Sequence, residues 1–168
     1  MKKGQKVVDF GCGEGVYSIL SGMVVGENGV VYAVDEQQKD LDIMVNKAKG
    51  MGLKNIKTVT KNEFKILSNK VKNVDFILLF DVLHYFTKDQ RKKLYDFFYD
   101  LLDVKGKLVV YPKHTKNNFP LWNLSEISNK DLQKEIEKSQ FYLKKFHETT
   151  LIHSEKFEKG NIFIFEKR

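Results

Sequence analysis

The sequence predicts an α/β domain: a doubly wound, mostly parallel seven-stranded sheet that ends in an antiparallel hairpin. Three observations carry this. Apolar β-forming runs alternate with helix-spaced segments along most of the 168 residues, the pattern of strands joined by crossover helices. The runs at 30–34 and 74–80 are almost unbroken, as strands buried on both faces are. The last two runs follow one another across a short charged turn, as antiparallel neighbours do.

Taken in order, Val7 and Val8 lead through Asp9 into Gly11, Gly13 and Gly15, a strand entering a tight turn. Residues 16–25 read as a helix that opens near Glu14, and Gly26-Glu27-Asn28-Gly29 as a turn. Residues 30–34 form the second strand and end at Asp35. Leu41, Met44, Val45 and Ala48 fall on one helical face, which Gly50 and Gly52 close. Residues 56–60 are a weaker third strand, and 74–80 the central fourth. Thr87 with Gln90 spells a capping box for a helix whose buried face is Leu94, Phe97, Phe98 and Leu101. Lys105-Gly106-Lys107 reads as a turn into a fifth strand at 108–111. A polar stretch from 112 to 129 holds both prolines and the single Trp122. Leu132 and Ile136 mark a short helix, and strands at 142–153 and 161–166 flank a charged turn at 155–160.

Composition narrows the classes. Hydrophobic residues at 42% and charged residues at 30% suit a globular domain, and no apolar run reaches membrane-spanning length. One cysteine, Cys12, forms no internal disulfide, and no leader pattern opens the chain, so the cytoplasm is the expected location. The formal charge is +7, yet of 29 basic residues only Arg91 and Arg168 are arginine. Arginine is the side chain suited to bidentate phosphate recognition, so a nucleic-acid partner is disfavoured and a solvated lysine surface preferred. Cys and His show no metal-ligand spacing, and no metal is expected.

The glycine spacing departs from the dinucleotide fingerprint, because Val16 stands where that pattern continues and the third glycine comes early. Asp9, two residues before the first glycine, would repel a pyrophosphate but accept hydrogen bonds from a cationic ligand. The order apolar–x–Asp–x–Gly–x–Gly–x–Gly resembles motif I of the class I S-adenosylmethionine-dependent methyltransferases. Val74-Asp75-Phe76 through Leu83-His84-Tyr85 is similar to the fourth-strand motif of their small-molecule members, and 101–110 to the approach to their fifth strand. The resemblance spans nearly the whole chain and implies a Rossmann-like methyltransferase fold with S-adenosylmethionine as cofactor. It departs at Asn62, where the family more often has Asp, and in the Lys105–Lys107 turn, which lacks the usual Pro and second Gly.

By that resemblance, Asp9, Gly11, Cys12, Gly13, Gly15, Asp35, Glu36, Asn62, Glu63 and Phe80 surround the cofactor. Asp35 either takes the ribose diol or caps the following helix, and Asn62 either meets the adenine amine or caps a helix. Tyr17 either covers the sulfonium or packs in the core. His84 is the candidate catalytic group, as a base or as packing for the cofactor. Tyr85, His114 and Trp122, with Phe119, are candidates for a substrate pocket, while His147 and His153 are expected at the surface. The family usually carries helices before motif I. Their lack here implies an open site, a lid from a second protomer of a homo-oligomer, or a longer natural chain. The sequence carries no Asp-Pro-Pro-Tyr or Asn-Pro-Pro-Tyr after the fourth strand, its only cysteine lies in the glycine loop rather than where cytosine C5 chemistry needs a nucleophile, and it has too few thiols for arsenite methylation. A small-molecule acceptor is the leading expectation. A non-catalytic cofactor-binding subunit and a nicotinamide-dependent oxidoreductase are the alternatives.

Overall fold

A computed structural model describes residues 1–60, 62–64, 69, 71–153 and 156–168. Its elements are β1 (Lys6–Phe10), α1 (Val16–Val25), β2 (Val30–Asp35), α2 (Gln38–Gly50), β3 (Ile56–Thr60), β4 (Val74–Phe80), α3 (Lys88–Leu101), β5 (Leu102–Tyr111), α4 (Asn129–Glu137), β6 (Phe141–His153) and β7 (Lys156–Lys167). The seven strands run in the order β3-β2-β1-β4-β5-β7-β6. β1 lies parallel to β2 and β4, β2 parallel to β3, and β7 antiparallel to β5 and β6. The predicted fold class is thus the observed one. The strand order reverses between β1 and β4, the kind of switch point at which open α/β sheets hold ligands.

Two compact units make up the chain, Met1–Leu78 with Leu101–Gly106, and Leu79–Asp100 with Lys107–Arg168. In the first, Ile19, Ala33, Met44 and Ala48 form a buried cluster, with Cys12, Val45, Leu53 and Ile56 packed against it. Leu41, Met44 and Ala48 are the buried face of α2, as their spacing predicts. Asp75 on β4 accepts from the Lys6 backbone N–H at 2.8 Å and from Gln5 at 3.2 Å, tying down the start of β1.

The turn predicted at Lys105-Gly106-Lys107 is not there: β5 begins at Leu102, directly after α3. Gly106 answers a different demand. A Cβ on it would lie 2.6 Å from the Val74 carbonyl oxygen, so close backbone approach excludes any side chain.

In the second unit the Thr87–Gln90 capping box forms as predicted. The face of α3 is not the predicted one, however. Phe98 and Leu101 are buried, but so are Arg91 and Tyr95, while Leu94 and Phe97 are only partly covered. Arg91 Nε and Nη2 meet the two carboxylate oxygens of Glu135 on α4 at 2.7 and 2.8 Å, and Nη1 donates to the carbonyls of Phe86 and Asn123. The Tyr95 hydroxyl donates to Glu135 at 3.2 Å. α4 opens on a Ser128–Asp131 capping box and buries Leu132 and Ile136.

The terminal hairpin is longer than predicted. Pairing runs to His153 opposite Lys156, so 156–160 are strand, and residue 155 of the predicted turn lies outside the described residues. The charges of Lys156, Glu158 and Lys159 marked a solvated ribbon and not a loop. Gly160 sits in it with the Tyr111 ring 2.5 Å from where a Cβ would stand.

Candidate active site

β1 delivers the glycine loop. Gly11, Gly13 and Gly15 hold φ of 77°, 51° and 82°, the left-handed region that explains their spacing. The N–H groups of Gly11 and Cys12 both bond to the Val34 carbonyl, at 2.8 and 3.1 Å, which locks the loop to the end of β2. Gly15 caps α1 against Met44, whose Cγ would be 1.8 Å from an added Cβ. Above Gly13 the space is open, with no described atom within 4 Å of a Cβ there.

Asp35 accepts the Gly13 N–H at 2.8 Å and the Gln37 N–H at 3.0 Å. It therefore joins the loop to the start of α2, and a carboxylate has acceptor positions to spare beyond those two bonds. Glu36 beside it is exposed. Glu14 pairs with Lys47 at 2.6 Å; both side chains are about half exposed, so the bond adds little.

Asp9 does not open onto the loop surface. It is 2% exposed and accepts the Ser18 hydroxyl at 2.6 Å, orienting the first turn of α1 from beneath. Burial pushes its pKa up to about 6, against the lowering effect of Ser18. The folded chain therefore holds a proton that the unfolded chain has released between pH 3.8 and about 6. Stability falls as pH rises through that window, by about 3 kcal/mol in all. Asp9→Asn keeps an acceptor for Ser18 and is expected to flatten that slope and raise stability at pH 7. Melts at pH 4 and 7 read the effect, and an unchanged difference between the two would count against it.

Burial, and then the charges of Asp9 and Asp35, raise the Cys12 thiol above its ordinary range, so it is held protonated and unreactive. Tyr17 is half-buried. At the end of β3, Thr60 and Glu63 form a capping box, the Glu63 carboxylate taking the Thr60 N–H at 2.8 Å and its hydroxyl at 2.7 Å. Of the two roles open to Asn62, the helix cap belongs to Thr60, and Asn62 is exposed in the first turn.

The second unit gathers another set. Phe80 packs edge-on against Tyr111. Asp81, next in the chain, takes a left-handed φ of 52° and donates its N–H to the Tyr111 carbonyl at 2.9 Å. His84 is 3% exposed, with Nδ1 3.4 Å from Asp81 Oδ1. His114 Nε2 reaches the same oxygen at 3.3 Å, and the two imidazoles lie 4.5 Å apart, edge to face. Tyr85 and Trp122 cover His84 at 4.0 and 5.3 Å and are themselves more than half exposed. Phe119 and Trp122 also hold left-handed φ, at 46° and 44°. Such strain costs about 1–3 kcal/mol per residue and clusters where a site needs a fixed shape.

His84, Tyr85, His114 and Trp122 are thus together, and the Phe119 carbonyl meets His114. Sequence reasoning missed Asp81, the carboxylate that both histidines face. Its one signal was its place directly after the central strand. His147 is exposed, and the side chain of His153 lies outside the described residues.

A family model described as a methyltransferase domain matches residues 1–166. The chain belongs to the class I S-adenosylmethionine-dependent methyltransferases. This methyltransferase domain is 35% identical over 63 residues to a probable cobalt-precorrin-6B C(15)-methyltransferase (decarboxylating) of Saccharolobus solfataricus. That match spans 38% of this chain and about a third (32%) of the relative's length. A crystal structure of a methyltransferase dependent on S-adenosylmethionine from Aquifex aeolicus superposes with a TM-score of 0.75 at 22% identity, over 98% of this chain and 84% of that one. Magnesium protoporphyrin IX methyltransferase of Synechocystis PCC 6803, solved with S-adenosylhomocysteine, gives 0.71 at 17% identity, over 99% and 75%. At such identities these structures speak for the fold. Among the described residues, no helix of this methyltransferase domain is long and apolar enough to cross a membrane.

Proposed function

We propose that this methyltransferase domain transfers a methyl group from S-adenosylmethionine to a small-molecule acceptor. The observation that carries the reading is the glycine loop joined to Asp35: three left-handed glycines, open space over Gly13, and a partly buried carboxylate with acceptor positions left. Those features fit the cofactor, with Asp35 taking the ribose hydroxyls and the loop backbone lying against the methionine part. Asp9, Gly11, Cys12, Gly13 and Gly15 shape that bed, Glu36, Asn62 and Glu63 border its nucleoside end, and Phe80 lies where β4 ends. Bound there, S-adenosylmethionine would supply an electrophilic methyl carbon on a cationic sulfur.

The chain's own groups then orient and exclude. Asp9 holds α1 through Ser18, Asp35 holds the loop, and the inert Cys12 thiol leaves the methyl to the acceptor. His84 is the catalytic side chain, acting on the acceptor with His114, Tyr85 and Trp122 around it. Alignment alone supplies much of the rate in such a transfer, so the pocket's shape matters as much as any single group. A wall of two imidazoles and two exposed aromatics suits a small, partly apolar acceptor better than a polymer backbone.

Calorimetric titration with S-adenosylhomocysteine and NAD tests the cofactor. S-adenosylhomocysteine is expected to bind, and Asp35→Ala to weaken it by about 1–3 kcal/mol, roughly fivefold to 150-fold. Tight NAD binding without affinity for S-adenosylhomocysteine would favour the oxidoreductase instead. Methyl release against a metabolite panel tests turnover; binding without turnover would favour a non-catalytic subunit.

A further inference from the structure

We propose that Asp81, His84 and His114 form the binding site of one divalent transition-metal ion of the zinc type. Their donor atoms (one carboxylate oxygen, His84 Nδ1 and His114 Nε2) all lie within 4.8 Å of one another. Zinc takes such ligands at about 2.0–2.1 Å, which makes the edge of a tetrahedron of donors about 3.3–3.4 Å. The two separations from Asp81 Oδ1, 3.4 and 3.3 Å, already have that length. A direct charge-assisted hydrogen bond would be shorter, about 2.7–2.9 Å.

The tautomer of His114 strengthens the case. Its Nδ1 lies 2.8 Å from the Phe119 carbonyl oxygen, which only accepts, so Nδ1 carries the hydrogen. In the neutral ring Nε2 then offers a lone pair, and it points at a carboxylate oxygen. A metal ion between the two would satisfy both. A histidine that gives its far N–H to a backbone carbonyl is also the usual way a metal-binding ring is held in line. The loop that presents this carbonyl is itself anchored: Leu121 N–H bonds to the His114 carbonyl, and Thr115 to Asn129. Asn123 in turn holds the His84 carbonyl at 3.2 Å.

Three protein donors leave a position open, the arrangement of catalytic rather than structural zinc. His84 closes the buried side, while the Asp81 and His114 side chains keep 20% and 15% of their surface. An acceptor hydroxyl or thiol binding in the open position would be polarised and made more acidic by the ion. That consequence rests on the methyl-transfer reading; the binding itself does not.

The test uses the full chain without an affinity tag, stripped with chelator and titrated with Zn2+ by calorimetry and with Co2+ by visible absorption. One equivalent is expected to bind, with Co2+ bands of a low-coordinate site. Asp81→Asn and His114→Ala should each weaken Zn2+ about a hundredfold, and His147→Ala, at an exposed position, should not. The isosteric Asp81→Asn keeps the test valid if His114→Ala fails to fold. No saturable binding, or binding unchanged in Asp81→Asn, would overturn the site. S-adenosylhomocysteine is titrated into the same stripped sample. If it binds while Zn2+ does not, the metal site fails and the cofactor assignment stands; if Zn2+ alone binds, the metal site stands without it.

Discussion

Replacing Arg91 with leucine is expected to destabilise the chain by about 3–5 kcal/mol, because it strands the Glu135 carboxylate, only 11% exposed, without its bidentate partner. The guanidinium makes four hydrogen bonds, two to Glu135 and one each to the carbonyls of Phe86 and Asn123. Its loss therefore loosens the helix pair α3–α4 and both segments beside His84. The double variant Arg91→Leu with Glu135→Leu separates the contributions. An apolar pair in place of a buried ion pair is often neutral, so the double should recover most of the carboxylate's share. It should not recover the two carbonyls, each of which costs about 1–3 kcal/mol when left unmade. Denaturant melts of the three chains read these differences. A single variant within 1 kcal/mol of the parent would mean that water replaces the guanidinium, and the pair would then be surface-like in its energetics.

That network shows where a sequence becomes hard to read. A helix face of Leu94, Phe97, Phe98 and Leu101 is the apolar choice, and it omits Arg91 because arginine is almost never fully buried unless paired. The pairing depends on Glu135, far along the chain, which no local pattern reveals. The glycine loop was legible for the opposite reason. Positive φ at Gly11, Gly13 and Gly15 is a property of the local backbone, and the residues that satisfy it stand side by side. Gly106 lies between these cases. Its need for glycine is written in the sequence, but the cause is a carbonyl on β4 rather than a turn. Likewise Asp81, His84 and His114 have no ligand spacing, since thirty residues separate the two histidines and only the folded second unit brings them onto one oxygen. Thr60 holds the cap that was one of the two roles open to Asn62, because Glu63 sits three residues after it, a capping box hidden at the end of a strand.

His84→Ala is expected to lower kcat by about 10²–10⁴, the range for losing a group that manages the acceptor's proton or polarises its reacting atom, with S-adenosylhomocysteine affinity unchanged. The ring has two separable properties. Its body packs between Tyr85 at 4.0 Å, His114 at 4.5 Å and Trp122 at 5.3 Å. Its Nδ1 faces Asp81. His84→Phe keeps an aromatic ring of similar size in that stack and removes both nitrogens, so it isolates the second property. If chemistry at nitrogen matters, Phe and Ala should be equally inactive, while Phe holds the melting temperature close to the parent's. If packing is all that His84 provides, Phe should restore turnover and Ala alone should lose it, through a poorly ordered acceptor side. The measurement is the rate of S-adenosylhomocysteine release with the acceptor found in the panel, at saturating cofactor. Full turnover in His84→Phe would remove His84 from the chemistry and leave the aromatic wall as its whole contribution.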